Sequence, residues 1–249
     1  MGLKLKIARK AYDFCAKRVL KDNSIRHMKA SIIYSPEGQT LSEYLVEVVS
    51  SSLKVAAVDA LTCGRSDLPD SQFLNVFPGE HYRLLAALVK TANMKNIVEI
   101  GTFTGMGTLA LREGLQEGGT VHTYDITPWN ELRVPSHFAP TDFEDGRLQQ
   151  HIGDLSDDGF FEENFDILNN ADLIFMDAPK DDRFEYRMLE KVSRLDKRKG
   201  KLLLVDDIRF VNMIDFWRSI TSPKMDISTF GHWSGTGLVD ISDGLKFRT

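Results

Sequence analysis

Cysteine is scarce in this chain. Only Cys15 and Cys63 occur among 249 residues, too few for a disulfide framework and without the spacing of a metal site, so a reducing, cytoplasmic setting is expected. No apolar run approaches the roughly 18 residues of a membrane span, so no transmembrane segment is expected. The first residues interleave Lys4, Lys6, Arg9 and Lys10 with apolar positions. They show neither a continuous apolar core nor a small-residue cleavage site, which argues against a secretory signal. Positive charge is not in excess either. The formal net charge is −5, and because a footprint on phosphates wants a basic surface, no nucleic-acid partner is expected. The dinucleotide fingerprint G-x-G-x-x-G does not follow the strand where it would be looked for.

What is present begins with amphipathic pattern. Residues 3–21 place Leu5, Ala8, Ala11, Tyr12, Cys15, Val19 and Leu20 near one helical face, with lysines and arginines opposite. Such a helix can lie on a membrane, but without an aromatic cluster it reads as packing on the domain or on a second subunit. A turn follows at Ser35-Pro36-Glu37-Gly38, then a second helical element over Leu41–Leu61 and a loop from Gly64 to Pro78. Residues 1–76 are thus expected to form a helical N-terminal extension to a unit spanning 77–249, and a homodimer through the N-terminal helices is one assembly it would allow.

From Gly79 the pattern changes to an amphipathic helix leading into a short strand, Asn96–Ile100. This strand breaks at Gly101 and Gly105 and resumes as a helix through Thr108, Leu109, Ala110 and Leu111. Glycines in such a corner let backbone approach a ligand. The spacing is E-x-G-x-x-x-G, with Glu99 still on the strand. A second strand, Thr120–Tyr124, ends in Asp125, twenty residues after Gly105, where an acidic side chain can accept hydrogen bonds from a ribose. A third strand, Leu148–Ile152, is followed by Gly153-Asp154, and Asp154 could equally cap the helix expected over Leu155–Phe165. Between them, residues 126–147 read as a loop and short helix beside the site. His81 could face a site, but a place at the surface or at the edge of the core is expected.

Two strong apolar strands carry the carboxylates. Ala171–Asp177 ends in Asp-Ala-Pro-Lys180-Asp181, and Lys201–Val205 ends in Asp206-Asp207. Helical spacing over Phe184–Leu195 separates them, so a right-handed crossover would place both in one parallel sheet, with Asp177, Asp206 and Asp207 at its carboxyl edge. Crowded carboxylates need a cation, a basic side chain or shared protons, and a hard divalent ion such as magnesium prefers oxygen ligands. The same residues read equally well as caps and turns, Asp206 and Asp207 heading a helix expected over Ile208–Ile220. Lys180 pairing with Asp181 or Asp182 on the surface is the plain reading of that lysine. Met225–Phe230 and Leu238–Ile241 read as the last two strands, and the loop joining them holds His232 and Trp233.

E-x-G-x-x-x-G resembles motif I of the class I S-adenosylmethionine-dependent methyltransferases. The segment from Asp177 to Asp181 looks like the D-x-x-K-D of the metal-dependent catechol O-methyltransferases, and LLLVDD looks like their strand ending in two metal ligands. The resemblance covers about two-thirds of the chain. It implies a Rossmann-like α/β fold, a seven-stranded mostly parallel sheet with an antiparallel last strand. It also implies S-adenosyl-L-methionine held by Glu99, Gly101, Thr102, Gly105, Thr108, Asp125 and Asp154. Asp177, Asp206 and Asp207 would bind magnesium, Lys180 would be the base with Asp177 beside it, and the loop carrying His232 and Trp233 would border a small hydroxylated acceptor. One departure stands out. Position 207 is aspartate where catechol and caffeoyl-CoA enzymes have asparagine, which is more like the macrocin-type enzymes that modify sugars, so phenol and sugar both stay open. The other readings are a nucleotide-binding Rossmann module and a catalytically silent methyltransferase-like interaction partner.

Overall fold

The computed structural model describes residues 41–248, with 182, 211 and 212 excepted. The basic helix expected over residues 3–21 and the turn at 35–38 lie outside the described residues. Helix α1 (Glu43–Ala56) opens on Ser42, whose hydroxyl accepts from the Leu45 amide at 3.2 Å, a side-chain N-cap. It stops five residues short of the expected Leu61. Its apolar face, with Leu45, Val48 and Val49, joins the core cluster of α2 (Tyr82–Thr91).

Seven strands form one sheet: β1 (Asn96–Ile100), β2 (Thr120–Asp125), β3 (Leu148–Ile152), β4 (Leu173–Met176), β5 (Leu202–Asp206), β6 (Lys224–Asp226) and β7 (Thr236–Asp240). Their order is β3-β2-β1-β4-β5-β7-β6. β1 pairs parallel with both β2 and β4, β4 parallel with β5, and β7 runs antiparallel to β5 and β6. The central strands β4 and β5 are buried along their whole length, because helices cover both faces, and this is why their sequences are continuous apolar runs. Side chains divide by the two-residue period. Ile97, Phe175 and Leu204 pack under α1, α2 and α3 (Met106–Gly114), whereas Val98, Ile174 and Leu203 pack with residues of the opposite layer such as Met188 and Phe216.

That opposite layer departs from expectation in two places. The helix read over Leu155–Phe165 is a pair, α4 (Asp158–Glu163) and α5 (Phe165–Asn170), and the cap of α4 is Asp157, whose carboxylate accepts from the Phe160 amide. α6 (Arg183–Val192) follows β4 as expected. The helix read from Ile208 begins only at Met213, as α7 (Met213–Ser219). Asp207 has φ of 60° and its carbonyl accepts from the Phe210 amide at 2.9 Å. Residues 207–210 therefore turn back instead of extending a helix, and Asp206 and Asp207 cap none.

The strand order reverses between β1 and β4. In an open α/β sheet the crevice at the carboxyl ends of strands flanking such a reversal is where ligands bind, and the Gly101 corner, Asp177 and the Asp206-Asp207 pair all arrive there.

Candidate functional site

The corner after β1 is built by close contact. Gly101 has φ of 102°, and a Cβ there would lie 2.0 Å from the Asp177 carbonyl oxygen. Gly105, φ 88°, precedes α3, and its Cβ would sit 2.5 Å from the Phe138 ring. Both glycines are thus required by packing as well as by backbone conformation. Glu99 lies behind the corner with 1% exposure; its carboxylate accepts from Thr123 Oγ1 at 2.6 Å and from the Thr108 hydroxyl. Burial raises its pKa to about 8, against the opposing effect of the two hydroxyls. Thr102 completes this knot through Thr123, Oγ1 to Oγ1 2.7 Å.

Below the corner runs a cleft of about 310 Å³, lined among others by Gly101, Phe103, Asp125, Asp154, Leu155 and Asp177. Asp125 holds the corner down: Oδ2 accepts from the amides of Thr102 and Phe103, both at 3.0 Å, and Oδ1 from Thr127 at 3.0 Å. Asp154 Oδ1 accepts from the Ser156 amide at 2.8 Å. Of the residues read from motif I and the strand ends, Gly101, Asp125 and Asp154 line the cleft, whereas Glu99, Thr102, Gly105 and Thr108 form the layer behind it.

Asp177 is the link to the second half of the site. It lines the cleft, and its carboxylate joins those of Asp206 and Asp207, with ligand atoms all within 4.8 Å of one another. Lys180, at φ 61°, reaches back so that Nζ contacts Asp177 Oδ1 and lies 2.9 Å from Asp207 Oδ2. Lys180 therefore faces inward, not toward Asp181 at the surface. Burial works against its charge, but the two carboxylates outweigh it and push its pKa above the ordinary lysine range. Partial burial and the neighbouring Asp206 charge push Asp177 upward. Asp206 is buried, yet His81 and His232 outweigh that and hold it below the usual carboxylate range.

Of the two histidines beside the cluster, sequence reasoning reads His232 only as a substrate contact and His81 as a residue of the surface or core edge. His81 is not at the surface or the core edge; it is 3% exposed and sits with Nδ1 3.5 Å from Asp206 Oδ1. The bridge between Gly79 and His232 lays the loop before α2 along the β6–β7 loop, which brings the two imidazoles to 5.2 Å between centroids. His232 Nδ1 is 3.0 Å from Asp206 Oδ2, and Nε2 is 3.5 Å from Glu80 Oε2. Ser234 donates to Asp207 Oδ1 and stands 2.8 Å from His232 Nδ1. The signal in the chain was a histidine within two residues of a glycine in each of two loops, which does not say that the loops meet. Trp233 is 72% exposed, with its ring 6.2 Å from the half-exposed Phe210.

Converging carboxylate oxygens, with a lysine already drawn in as counter-charge, fit a hard divalent cation at Asp177, Asp206 and Asp207.

A model of a protein family described as O-methyltransferase matches residues 70–214. Caffeoyl-CoA O-methyltransferase 2 of Petunia hybrida is 30% identical over 112 residues, 42% of this chain and 43% of that protein. Caffeoyl-CoA O-methyltransferase 1 of Eucalyptus globulus is 32% identical over 131 residues, 49% of this chain and 46% of that protein. The chain thus aligns with less than half the length of these curated relatives. Among solved structures, an O-methyltransferase from Bacillus cereus in complex with SAH is similar over 89% of this chain and 100% of its own, at 19% identity and a TM-score of 0.46.

Proposed function

The chain belongs to the O-methyltransferase family, and on that premise we propose that it transfers the methyl group of S-adenosyl-L-methionine to a hydroxyl of a small molecule, with a magnesium-class cation at the carboxylates. The observation that carries this reading is the position of Asp177, which lines the cleft under the glycine corner and at the same time belongs to the carboxylate cluster. A cofactor in the cleft would have its reacting end where Asp177 stands, next to an acceptor bound against the cluster. We take residues 77–249 as the catalytic domain and 1–76 as its helical extension.

Asp125 retains lone pairs beyond its three amide contacts and would accept from the ribose hydroxyls; Asp154, at the other side of the cleft, would face the base. Glu99 would act through the knot of Thr102, Thr108 and Thr123, fixing the backbone of the corner behind the methionine end. Asp177, Asp206 and Asp207 would hold the cation, which when bound supplies Lewis acidity toward an acceptor hydroxyl. Lys180 touches two of the three carboxylates; once their charge is engaged elsewhere its ammonium would lose a proton to solvent, and the neutral amine would take up the acceptor's proton. The remaining work is alignment, since the sulfonium is already a good electrophile and an oxygen placed in line gains most from being held there. His232 and Trp233 border the open side, where a phenol or a sugar would enter.

Calorimetry with S-adenosylhomocysteine tests the cofactor: no binding sinks the enzyme reading and favours a silent interaction partner. A panel of catechols and sugars with and without EDTA tests the rest, and activity indifferent to chelation removes the cation.

A further inference from the structure

Asp206 stands between two different sets of groups. With Asp177 and Asp207 it makes an all-oxygen cluster. With His81 and His232 it makes a second, in which two imidazole nitrogens and a carboxylate oxygen all lie within 4.8 Å of one another. From this geometry we infer that His81, Asp206 and His232 form a binding site for a divalent transition ion of the zinc class, selected by nitrogen ligands and separate in chemistry from the oxygen-only cluster beside it. It does not depend on the methyl-transfer reading.

Three observations carry the site. His81 is 3% exposed, and neither of its ring nitrogens makes a hydrogen bond, nor does the Asp206 oxygen it faces. A buried polar group left without a partner is destabilising, so a side chain of this kind aimed at a carboxylate is poised to take a ligand. The spacing also fits. His232 Nδ1 is 3.0 Å from Asp206 Oδ2 and His81 Nδ1 is 3.5 Å from Asp206 Oδ1, so one imidazole faces each oxygen of the same carboxylate, and one ligand atom from each of the three residues falls within 4.8 Å of the others. Finally, His232 has its outer nitrogen 3.5 Å from Glu80 Oε2. A ligating histidine characteristically turns its other nitrogen to a carboxylate, which fixes the tautomer and raises its basicity.

Imidazole favours zinc, cobalt, nickel or iron, while magnesium prefers oxygen. The two clusters would therefore sort ions by ligand type although they share Asp206. The fold makes this arrangement from three separate places: the residue before α2, the end of β5 and the β6–β7 loop. Without an ion, protonated histidines would offset the Asp206 charge, and that is the competing outcome.

The test uses the full chain stripped with chelator and titrated with cobalt(II) in a large excess of magnesium, read by visible absorption and calorimetry. One equivalent should bind with the intense d–d bands of a nitrogen-containing, low-coordinate site. His232→Gln should weaken binding at least about tenfold and change the spectrum, as should His81→Asn, whereas Asp177→Asn should leave both nearly unchanged. Because His81 is buried, its variant is scored only if thermal unfolding shows it folded; His232, in a loop and partly exposed, keeps the test decisive alone. No cobalt bound against magnesium, or binding lost in Asp177→Asn and kept in His232→Gln, overturns the site. S-adenosylhomocysteine calorimetry on the same samples separates the two readings, since cofactor binding without cobalt binding removes this site alone.

Discussion

Gly101 and Asp177 meet backbone to backbone: a Cβ on the glycine would fall 2.0 Å from the aspartate carbonyl oxygen. The contact ties the corner after β1 to the end of β4, the two strands that flank the reversal in the sheet. It fixes where the cleft ends and the carboxylate cluster begins.

Gly101→Ala should therefore be costly twice, through the clash and through a φ of 102° that an L side chain rarely adopts. We expect a loss of about 2–4 kcal/mol in stability by chemical denaturation, and at least about tenfold weaker S-adenosylhomocysteine binding in the folded fraction. A variant with wild-type affinity would show that the corner does not shape the cleft.

Glu99 should make stability fall as pH rises. Its folded pKa is about 8 against an ordinary 4.5. Below pH 4.5 both states hold the proton and nothing is lost. Between 4.5 and about 8 the unfolded chain releases it while the folded chain keeps it, so the unfolded state binds fewer protons and stability declines through that window, levelling off above it. Glu99→Gln, which carries no titrating proton, should flatten this part of the profile and exceed the wild type at pH 8 by about 3 kcal/mol or less, since relaxation reduces the full linkage value. Parallel pH profiles of the two proteins would refute this.

Lys180 supplies counter-charge to Asp177 and Asp207, so a divalent cation must displace it from them. Lys180→Met should tighten magnesium binding by about tenfold in calorimetry and lower kcat by at least about a hundredfold if the lysine moves the acceptor's proton. Cofactor affinity should stay within about twofold. Unchanged kcat would remove the base role while leaving the counter-charge role intact.

These particulars show what the sequence could reveal. The apolar runs of β4 and β5 and the glycines after β1 are local signals, and right-handed crossovers turn them into a shared sheet edge; Asp125, Asp177, Asp206 and Asp207 were readable for that reason. His81 was not. It precedes an amphipathic helix, a position that says nothing of burial, and only the bridge between Gly79 and His232 puts it against Asp206. The stretch after Asp207 misled in the opposite way. Ile208, Phe210 and Met213 keep apolar spacing, but Ile208 is buried from within a turn, which periodicity cannot tell from a helix.

Trp233 offers the most direct test of where the acceptor enters. It is 72% exposed and rests near Phe210 and His232, with centroids 6.2 and 5.5 Å away. A large exposed aromatic contributes little to folding, so Trp233→Ala should change stability by no more than about 0.5 kcal/mol. If the ring forms one wall of the acceptor pocket, its loss removes contact made equally in the ground and transition states. The expected result is KM for the acceptor raised about tenfold, with kcat and the S-adenosylhomocysteine affinity little changed. Planar phenols, which can stack on an indole face, should suffer more than sugars. An equal loss for both would place the acceptor's ring elsewhere, and no loss for either would leave Trp233 outside the pocket.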